Sequence, residues 1–309
     1  MTVGQRDACL AIEPVEIDAA RRKNPASPLN PEEITELRSC IGSLGWLARQ
    51  TRPDLCYVVS CLAQSIGSPT VATLALARQA VIRAKDHADF ELIFYPGNLD
   101  IDSCHVFAVT DASLANVDDR DLGPKTRSQG AYVIGLCGDH TVDGKGKADI
   151  TALEYHSGAI KRVCRSSLAA ETNAALDGIE AAIYVRSVLE EILSAGLHDA
   201  PWHQVLLFTD AKSLHDVLSR DIGQAADKRL RIIIAQIREL TMADDVIVHW
   251  IDTLVMLADS LTKLEAETGY LLDAITQGIW SGVSTPESLE RKAVIRTQRK
   301  ARAVAKRSG

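Results

Sequence analysis

The sequence has no continuous run of about 18 apolar residues, the length that a membrane-spanning helix requires. Its first thirty residues mix charged residues with proline, so no signal peptide is expected. The seven cysteines form no C-x-x-C pair and are scattered among apolar segments. Because zinc sites and disulfide frameworks use clustered cysteines, this spacing favours buried free thiols in a reducing compartment. We expect a soluble protein of the cytosol or the nucleus.

Positive charge is scarce as well, since 34 Lys and Arg stand against 41 Asp and Glu, for a formal net charge of -7. A general nucleic-acid-binding protein usually carries an extended positive surface, so any polynucleotide contact of this chain must be local. The exception is a tail at residues 291–307, which carries eight basic residues and no acid. Phosphate binding, a solvated terminal helix and nuclear targeting remain open alternatives for this tail.

Apolar residues are plentiful, at 46% of 309 residues, which is enough for one large domain or two compact ones. Residues 1–29 lack periodicity and are predicted to be a flexible lead-in. Residues 30–90 are predicted to form a small helical unit. Asn30, Pro31 and Glu33 supply an N-cap, a first-turn proline and a capping-box acid, and apolar residues follow at helical spacing.

The pattern changes at residues 91–264, where short β-rich runs appear and later alternate with helical segments. After a first run at residues 91–95, the predicted order is βββαβααβα. Three successive strands indicate an antiparallel meander, and the later alternation adds strands beside it with helices packed on the sheet. The sequence therefore predicts an α/β fold with a mixed five-stranded sheet and flanking helices. Residues 265–309 are expected to be a C-terminal extension that ends in the basic tail.

Four acids fall at positions from which they can meet in one cleft. Asp111 and Asp210 each end a predicted strand, and neighbouring strand ends can aim two carboxylates at a common point. Glu171 lies one turn into a long predicted helix, on the face that holds the apolar residues. Asp259 lies in a closing helix predicted at residues 256–263, although alone it also fits an exposed first-turn acid.

Each acid also has a purely structural explanation. An aspartate after a strand is usually a turn or helix-cap residue, so Asp111 or Asp210 alone proves little. Glu171 is harder to explain, because an acid on an apolar helix face is costly unless it is paired or binds a metal. A buried ion pair with Arg165 or Arg186 would satisfy it.

Taken together, the four carboxylates match a chemical need. Phosphodiester hydrolysis requires charge stabilisation on the attacking and the leaving oxygen, and two divalent cations about 3.5 to 4 Å apart provide it. Hard cations prefer oxygen ligands, so a carboxylate cluster without a Cys or His majority suits two Mg²⁺ (or Mn²⁺) ions rather than zinc. The cations would also remove the repulsion among the crowded acids.

Four segments resemble, in order, the motifs of ribonuclease H (RNase H) domains in copia-type LTR retrotransposon Pol polyproteins. They are Thr-Asp-Ala-Ser-Leu-Ala-Asn at residues 110–116, Arg-Ser-Ser-Leu-Ala-Ala-Glu at 165–171, Thr-Asp-Ala-Lys-Ser at 209–213 and Leu-Ala-Asp-Ser-Leu-Thr-Lys at 257–263. Upstream, the run at residues 37–48 with Thr-Arg-Pro-Asp at 51–54 is similar to the helical segment that joins polymerase to RNase H in these polyproteins. The resemblance covers residues 32–264.

The resemblance implies an RNase H-like fold and a metal-dependent endonuclease that hydrolyses the RNA strand of RNA/DNA hybrids. Asp111, Glu171 and Asp210 would hold two Mg²⁺ (or Mn²⁺) ions, and Asp259 would complete the set. The implied partners are the hybrid and the polymerase part of the same polyprotein, with no membrane. Polymerase activity is not expected, because no segment of this chain offers a polymerase palm.

Substrate contacts are expected in the turn before the long helix, at Lys161, Arg162, Arg165 and Ser166, because basic side chains and a helix N-terminus offer donors to phosphates. An ordinary solvated basic turn explains these residues equally well. Selectivity for hybrids would come from the minor groove, where 2′-hydroxyls distinguish the RNA strand.

The sequence departs from the family pattern at Ala211, where asparagine is usual, and at Leu114, where an aromatic residue is common. Both changes concern substrate positioning more than metal binding. In cellular relatives a histidine before the last catalytic aspartate assists product release, but here Trp250 stands at that position and His249 falls just outside it. We interpret His249 as a strand histidine packed beside Trp250.

Two other functions remain open. The first is a catalytically inactive retrotransposon remnant that serves as a nucleic-acid-binding or structural module; the missing polymerase favours it and the retention of all four acids opposes it. The second is another nuclease of the wider superfamily, such as a 3′-5′ exonuclease or an integrase. Such exonucleases typically begin with D-x-E on the first strand, whereas Ala112 and Ser113 follow Asp111 here.

Overall fold

The computed structural model of the chain describes residues 1–95, 97–101, 103–114, 127–138, 147–194, 204–219, 227–243, 245–264 and 266–282. The basic tail predicted at residues 291–307 lies outside these residues. None of the described helices is long and apolar enough to cross a membrane.

The chain begins with ordered elements where a flexible lead-in was predicted. These are strand β1 (Thr2–Gly4) and helices α1 (Arg6–Ala11) and α2 (Ala19–Arg22). The segment buries Cys9, Val15 and Ile17 against the helices that follow. That part of the prediction is therefore wrong, because these short elements gain their order from tertiary contacts and not from a local sequence period.

Three helices form the predicted helical unit, namely α3 (Pro31–Gln50), α4 (Cys56–Ser65) and α5 (Val71–Asp86). The capping box at the start of α3 is present, since Asn30 accepts a hydrogen bond from the Glu33 backbone and the Glu33 side chain accepts one from the Asn30 backbone. A 3₁₀ turn at Pro53–Leu55 joins α3 to α4. It places Arg52 and Asp54 in a buried ion pair, with an N–O distance of 2.9 Å.

The remaining elements alternate between sheet and helix. They are β2 (Glu91–Ile93), β3 (His105–Ser113), β4 (Gln129–Cys137), β5 (Ala148–Ala159), α6 (Ser167–Ser194), β6 (Val205–Thr209), α7 (Lys212–Ser219), α8 (Lys228–Met242), β7 (Val246–Trp250), α9 (Gly269–Gln277) and β8 (Ile279–Trp280). The main sheet has the strand order β7-β6-β3-β4-β5-β8. β3, β4 and β5 form an antiparallel meander, and β6 and β7 join it in parallel. The mixed sheet with flanking helices is thus confirmed.

The sheet lies between two layers of helices. On β3, Phe107 and Val109 face the core shared with α3, α4 and α5, whereas Val106 and Ala108 face the core shared with α6, α7 and α8. This alternation follows from the two-residue period of a strand. The helical unit therefore packs on the sheet, and its residues can contribute to a site at the sheet's edge.

Three features of the observed fold differ from the prediction. The sheet has six strands instead of five among the described residues, because β8 pairs with the start of β5. The run at residues 91–95 forms β2, which pairs with β1 in a separate two-stranded sheet. The closing helix predicted at residues 256–263 is instead a single 3₁₀ turn, Asp259–Leu261, and another 3₁₀ turn, Thr253–Val255, precedes the predicted segment. The extension from residue 265 therefore belongs partly to the main fold, through α9 and β8.

Candidate metal centre

Two of the predicted acids lie at the ends of neighbouring strands. β3 and β6 run in parallel, with Val109 opposite Phe208. Continuing this register by two residues places Asp111, near the end of β3, level with Asp210, which directly follows β6. The register thus brings both carboxylates to the same end of the sheet.

Glu171 approaches the same point from α6. The Ser166 hydroxyl caps this helix by accepting a hydrogen bond of 3.1 Å from the Ala169 backbone N–H. Gly178 lies two turns after Glu171 on the same helix face. A Cβ added at Gly178 would lie 2.5 Å from Cγ2 of Thr110, so only glycine lets α6 approach β3 this closely. The close approach holds Glu171 against the strand ends.

The three carboxylates form one compact cluster. An oxygen from each of Asp111, Glu171 and Asp210 lies within 4.8 Å of the other two. Asp111 is buried, at 3% exposure, while Glu171 and Asp210 are half-buried. The structure therefore brings these three predicted residues together in an arrangement that a pair of divalent cations can bridge.

Threonine hydroxyls orient two of the carboxylates by hydrogen bonds, whereas one oxygen of the third has no hydrogen-bond partner among the described residues. Thr262 Oγ1 donates to Asp111 Oδ2 at 2.5 Å, and Thr253 Oγ1 donates to Asp210 Oδ2 at 2.6 Å. Glu171 accepts from the Ala112 backbone N–H, but its Oε2 is enclosed and has no hydrogen-bond partner among the described residues. A buried oxygen without a partner, beside two further carboxylates, fits a ligand of a hard divalent cation.

Asp259, the predicted fourth ligand, stands beside the cluster without joining it. It forms an ion pair with Nζ of Lys263, four residues later. The same Nζ lies 3.9 Å from Asp111 Oδ2. Lys263 thus supplies a positive charge next to the carboxylates, and Asp259 is already neutralised by it.

The electrostatics of the cluster are those of crowded, buried acids. Burial raises the pKa of Asp111 to about 7, against the opposing effect of Lys263. Burial and the neighbouring charges of Asp111 and Asp210 raise the pKa of Glu171 to about 9. Burial also raises the pKa of Asp210. Without cations the cluster therefore keeps protons near neutral pH, and cation binding must release them.

These shifts predict how the stability of the cation-free protein depends on pH. A raised pKa means that the folded protein holds its proton more tightly than the unfolded chain, so stability falls as pH rises from the unfolded values of 3.8 and 4.5 toward about 9. Urea unfolding in EDTA is expected to show this loss between pH 5 and pH 9. Adding Mn²⁺ at the higher pH should restore the stability; a loss that persists with saturating Mn²⁺ would argue against the cluster as its source.

The structure does not pair Glu171 with either arginine suggested as an alternative partner. Arg186 instead contacts Asp245 at 3.3 Å and Glu190 at 3.8 Å. Neither Arg186 nor Arg165 is among the groups that shift the pKa of Glu171. The structural explanation of Glu171 as half of a buried ion pair is thus not supported.

The four residues predicted to contact nucleic acid lie together between β5 and α6. Lys161, Arg162, Arg165 and Ser166 are all exposed. The charges of Lys161 and Arg162 act on Asp177 of α6, whose pKa is nevertheless raised, mainly by burial. The turn thus presents basic groups at the N-terminus of the helix that carries Glu171.

Three residues that surround the carboxylates were not predicted individually from the sequence. Thr262 and Lys263 belong to the motif at residues 257–263, so that motif already contained them, whereas no pattern indicates Thr253. His249 stacks on Phe208, with the ring centroids 5.1 Å apart, and not on Trp250 as predicted. Trp250 donates from its indole Nε1 to the backbone oxygen of Asp210 at 3.1 Å.

Comparisons with known proteins give a fold likeness and no family. No protein-family model matches the sequence, and no curated protein matches it. Among solved structures, the chain is similar to LC11-RNase H1, isolated from compost, with 13% identity over 48% of this chain and 85% of that chain and a TM-score of 0.30. It is also similar to RNase H1 from the halophilic archaeon Halobacterium salinarum NRC-1, with 18% identity over 55% of this chain and 99% of that chain and a TM-score of 0.32. At these TM-scores the carboxylate geometry, and not the likeness, supports a function.

Proposed function

We propose that this chain is a ribonuclease H that cleaves the RNA strand of RNA/DNA hybrids endonucleolytically. The observation that carries the proposal is the convergence of Asp111, Glu171 and Asp210 within 4.8 Å, with an enclosed Glu171 oxygen left unpartnered. Three acids from two strands and a helix gain nothing for the fold by meeting, since burial raises the pKa of each. A function in cation binding explains why they do.

Asp111, Glu171 and Asp210 would hold two divalent cations, Mg²⁺ or Mn²⁺. When bound, the cations would stabilise negative charge on the attacking and the leaving oxygen of the phosphodiester. The hydroxyls of Thr262 and Thr253 keep the carboxylates of Asp111 and Asp210 in fixed orientations, as partners of metal ligands commonly do. Asp259 would complete the ligand set by releasing Lys263.

The exposed turn with Lys161, Arg162, Arg165 and Ser166 would bind backbone phosphates on the way to the cluster. Its basic groups are close to the helix that carries Glu171, so a bound strand would run past the carboxylates. Hybrid selectivity would arise from minor-groove contacts to 2′-hydroxyls.

We also infer an origin in a copia-type retrotransposon Pol polyprotein, whose polymerase part would be a natural partner. In support, three of the four motifs that carry the resemblance supply the residues of the cluster. The seven cysteines are all free thiols, six of them buried, which supports the reducing environment of the cytosol or the nucleus.

The proposal is tested by incubating the purified chain with an RNA/DNA hybrid labelled on the RNA strand. We expect cleavage with Mg²⁺, none in EDTA, and none of double-stranded DNA. Asp210→Asn, which keeps the side-chain shape and removes the charge, should lower the rate by at least about 100-fold. Absence of cleavage by the parent chain would reject the proposal, and hybrid binding without cleavage would instead support the inactive nucleic-acid-binding module.

A further inference from the structure

Trp250 has a large exposed surface at the edge of the candidate metal centre. It is the last residue of β7, and it lies opposite Thr209 of the parallel neighbouring strand β6. One strand spacing, about 4.8 Å, separates the two backbones at this point. Since Asp210 directly follows Thr209, Trp250 stands beside one of the three clustered carboxylates.

Hydrogen bonds fix the indole ring of Trp250 relative to Asp210. The indole Nε1 donates to the backbone oxygen of Asp210 at 3.1 Å, and Thr253 Oγ1 donates to the Asp210 side chain at 2.6 Å. The backbone N–H of Ile251 donates to the backbone oxygen of Thr209 at 3.0 Å. Residues 250–253 are thus bonded to the end of β6 at several points, and the ring cannot turn away without losing its own hydrogen bond.

The exposed part of Trp250 offers carbon surface only. The residue is 49% exposed, and Nε1, the one polar atom of an indole, is already bonded to Asp210. The open surface therefore has no donor for a phosphate and no group that could transfer a proton. Single exposed apolar residues are common in proteins, but this one is held rigidly beside the carboxylates. It suits a ligand that binds at the cluster and presents an apolar face.

We propose that the indole of Trp250 packs against a nucleoside of the RNA strand next to the phosphate that is cut. This inference rests on the proposed function. Successive nucleotides of a duplex strand rise by about 3.4 Å, which is comparable with the strand spacing between Trp250 and the end of β6. A nucleoside that adjoins the cut phosphate is therefore within reach of the ring. Aromatic side chains bind RNA through such contacts, because nucleosides have apolar faces whatever their base.

Two substitutions at residue 250 separate a substrate contact from support of Asp210. Trp250→Phe removes the Nε1 donor and keeps an aromatic face, whereas Trp250→Leu removes both. Hybrid binding by the full chain is measured in EDTA by fluorescence anisotropy. We expect Trp250→Leu to weaken binding by about 10-fold and Trp250→Phe by less than about 3-fold. Equal losses in the two variants would overturn the proposal, because the hydrogen bond and not the aromatic face would then be responsible.

Cation binding and turnover give a second readout. Neither variant should change the Mn²⁺ affinity by more than about 3-fold, since no metal ligand is altered. In Mg²⁺, Trp250→Leu should raise KM for the hybrid by about 10-fold and leave kcat within about 3-fold, as expected for a contact made equally in the ground state and the transition state. A lower kcat with an unchanged KM and weakened Mn²⁺ binding would contradict the substrate contact and assign Trp250 to the orientation of Asp210.

Tyr184→Leu is the matched control, because it removes an aromatic face from another part of the surface. Tyr184 is 69% exposed and lies on α6, more than three helical turns beyond Glu171 and thus about 20 Å from it along the helix axis. Its replacement should leave hybrid affinity within about 2-fold of the parent. A loss as large as that of Trp250→Leu would count against a specific contact at Trp250.

A spacer scan of the hybrid identifies the strand that Trp250 contacts. A three-carbon spacer replaces one nucleoside at a time and keeps its phosphates, so it removes the sugar and the base together. An RNA position next to the mapped cut should weaken binding to the parent chain but not to Trp250→Leu. Coupling confined to the DNA strand, or no coupling at any position, would refute the proposal.

The tryptophan contact and the proposed function fail in different ways. Cleavage by the parent, together with parent-like hybrid binding by Trp250→Leu, removes the tryptophan contact alone. Hybrid binding that depends on Trp250 without cleavage in Mg²⁺ removes the catalytic proposal alone. A parent chain that neither binds nor cleaves the hybrid removes both.

Discussion

Replacing Glu171 by glutamine is expected to stabilise the cation-free protein while it weakens cation binding and slows hybrid cleavage. In the folded parent, burial and two neighbouring acids disfavour the ionised form of the Glu171 carboxyl and raise its pKa to about 9. Folding above the ordinary pKa of glutamate must therefore bind a proton at this side chain. Glutamine has the same shape and no charge to desolvate. At pH 8 in EDTA we expect a gain of about 1 to 3 kcal/mol in the free energy of unfolding.

The functional loss has the opposite sign. Removing one of three clustered ligands should weaken Mn²⁺ binding, which isothermal titration calorimetry measures. It should also lower the rate of hybrid cleavage by at least about 100-fold. Added Mn²⁺ should then no longer stabilise the variant, whereas its stabilisation of the parent should grow with the logarithm of the Mn²⁺ concentration above the dissociation constant.

Glu191 provides the matched control, because it lies on the same helix, near its exposed end. Glu191→Gln should leave unfolding, Mn²⁺ binding and cleavage within the error of the parent. If Glu171→Gln destabilised the cation-free protein instead, Glu171 would be serving the fold, and the carboxylate cluster would lose its functional interpretation.

The cluster could be predicted from the sequence because its members sit at places with a simple geometric meaning. Asp111 and Asp210 each end a predicted strand, and Glu171 falls on the buried face of a predicted helix. Local patterns of period two and 3.6 place each acid on its element, and the resemblance of the four motifs implies that these elements meet. The same helical period also indicates Lys263, whose ammonium neutralises Asp259 four residues earlier, and this pair was missed because Asp259 was predicted to be a metal ligand.

The parts of the fold that the sequence did not predict depend on distant partners. β1 exists because Thr2 pairs with Ile93, and β8 exists because Trp280 pairs with Ala148. Strands of two or three residues have no detectable alternation. The packing of the helical unit on the sheet was likewise not predicted, and it forms a groove of about 390 Å³ between α3 and α4 on one side and β5 on the other.

The Thr-Arg-Pro-Asp motif at residues 51–54, which is part of the resemblance, has a structural role in the helical unit. Pro53 starts the 3₁₀ turn, which brings Arg52 back onto Asp54. Both side chains are 1% exposed, and two guanidinium nitrogens of Arg52 donate to the two Asp54 oxygens at 2.9 Å. Arg52 also donates to the backbone oxygen of Ala84 at the end of α5. The pair thus joins α3, α4 and α5 at one point.

Replacing Arg52 by methionine is therefore expected to cost about 3 to 5 kcal/mol in the free energy of unfolding, because among the described residues it leaves the buried Asp54 carboxylate with Arg83 alone as an ionic partner. Chemical denaturation measures the loss. The exposed pair of Arg6 and Asp89 gives the contrast, and Arg6→Met should cost less than about 1 kcal/mol.

The double variant Arg52→Met/Asp54→Leu distinguishes the stability cost of an unpaired buried carboxylate from the cost of the contacts that Arg52 loses. Removing the stranded carboxylate should recover most of the stability, because an apolar pair of similar volume is often as stable as a buried ion pair. A double variant as unstable as Arg52→Met would show that the lost contacts to Ala84, and not the unpaired acid, dominate.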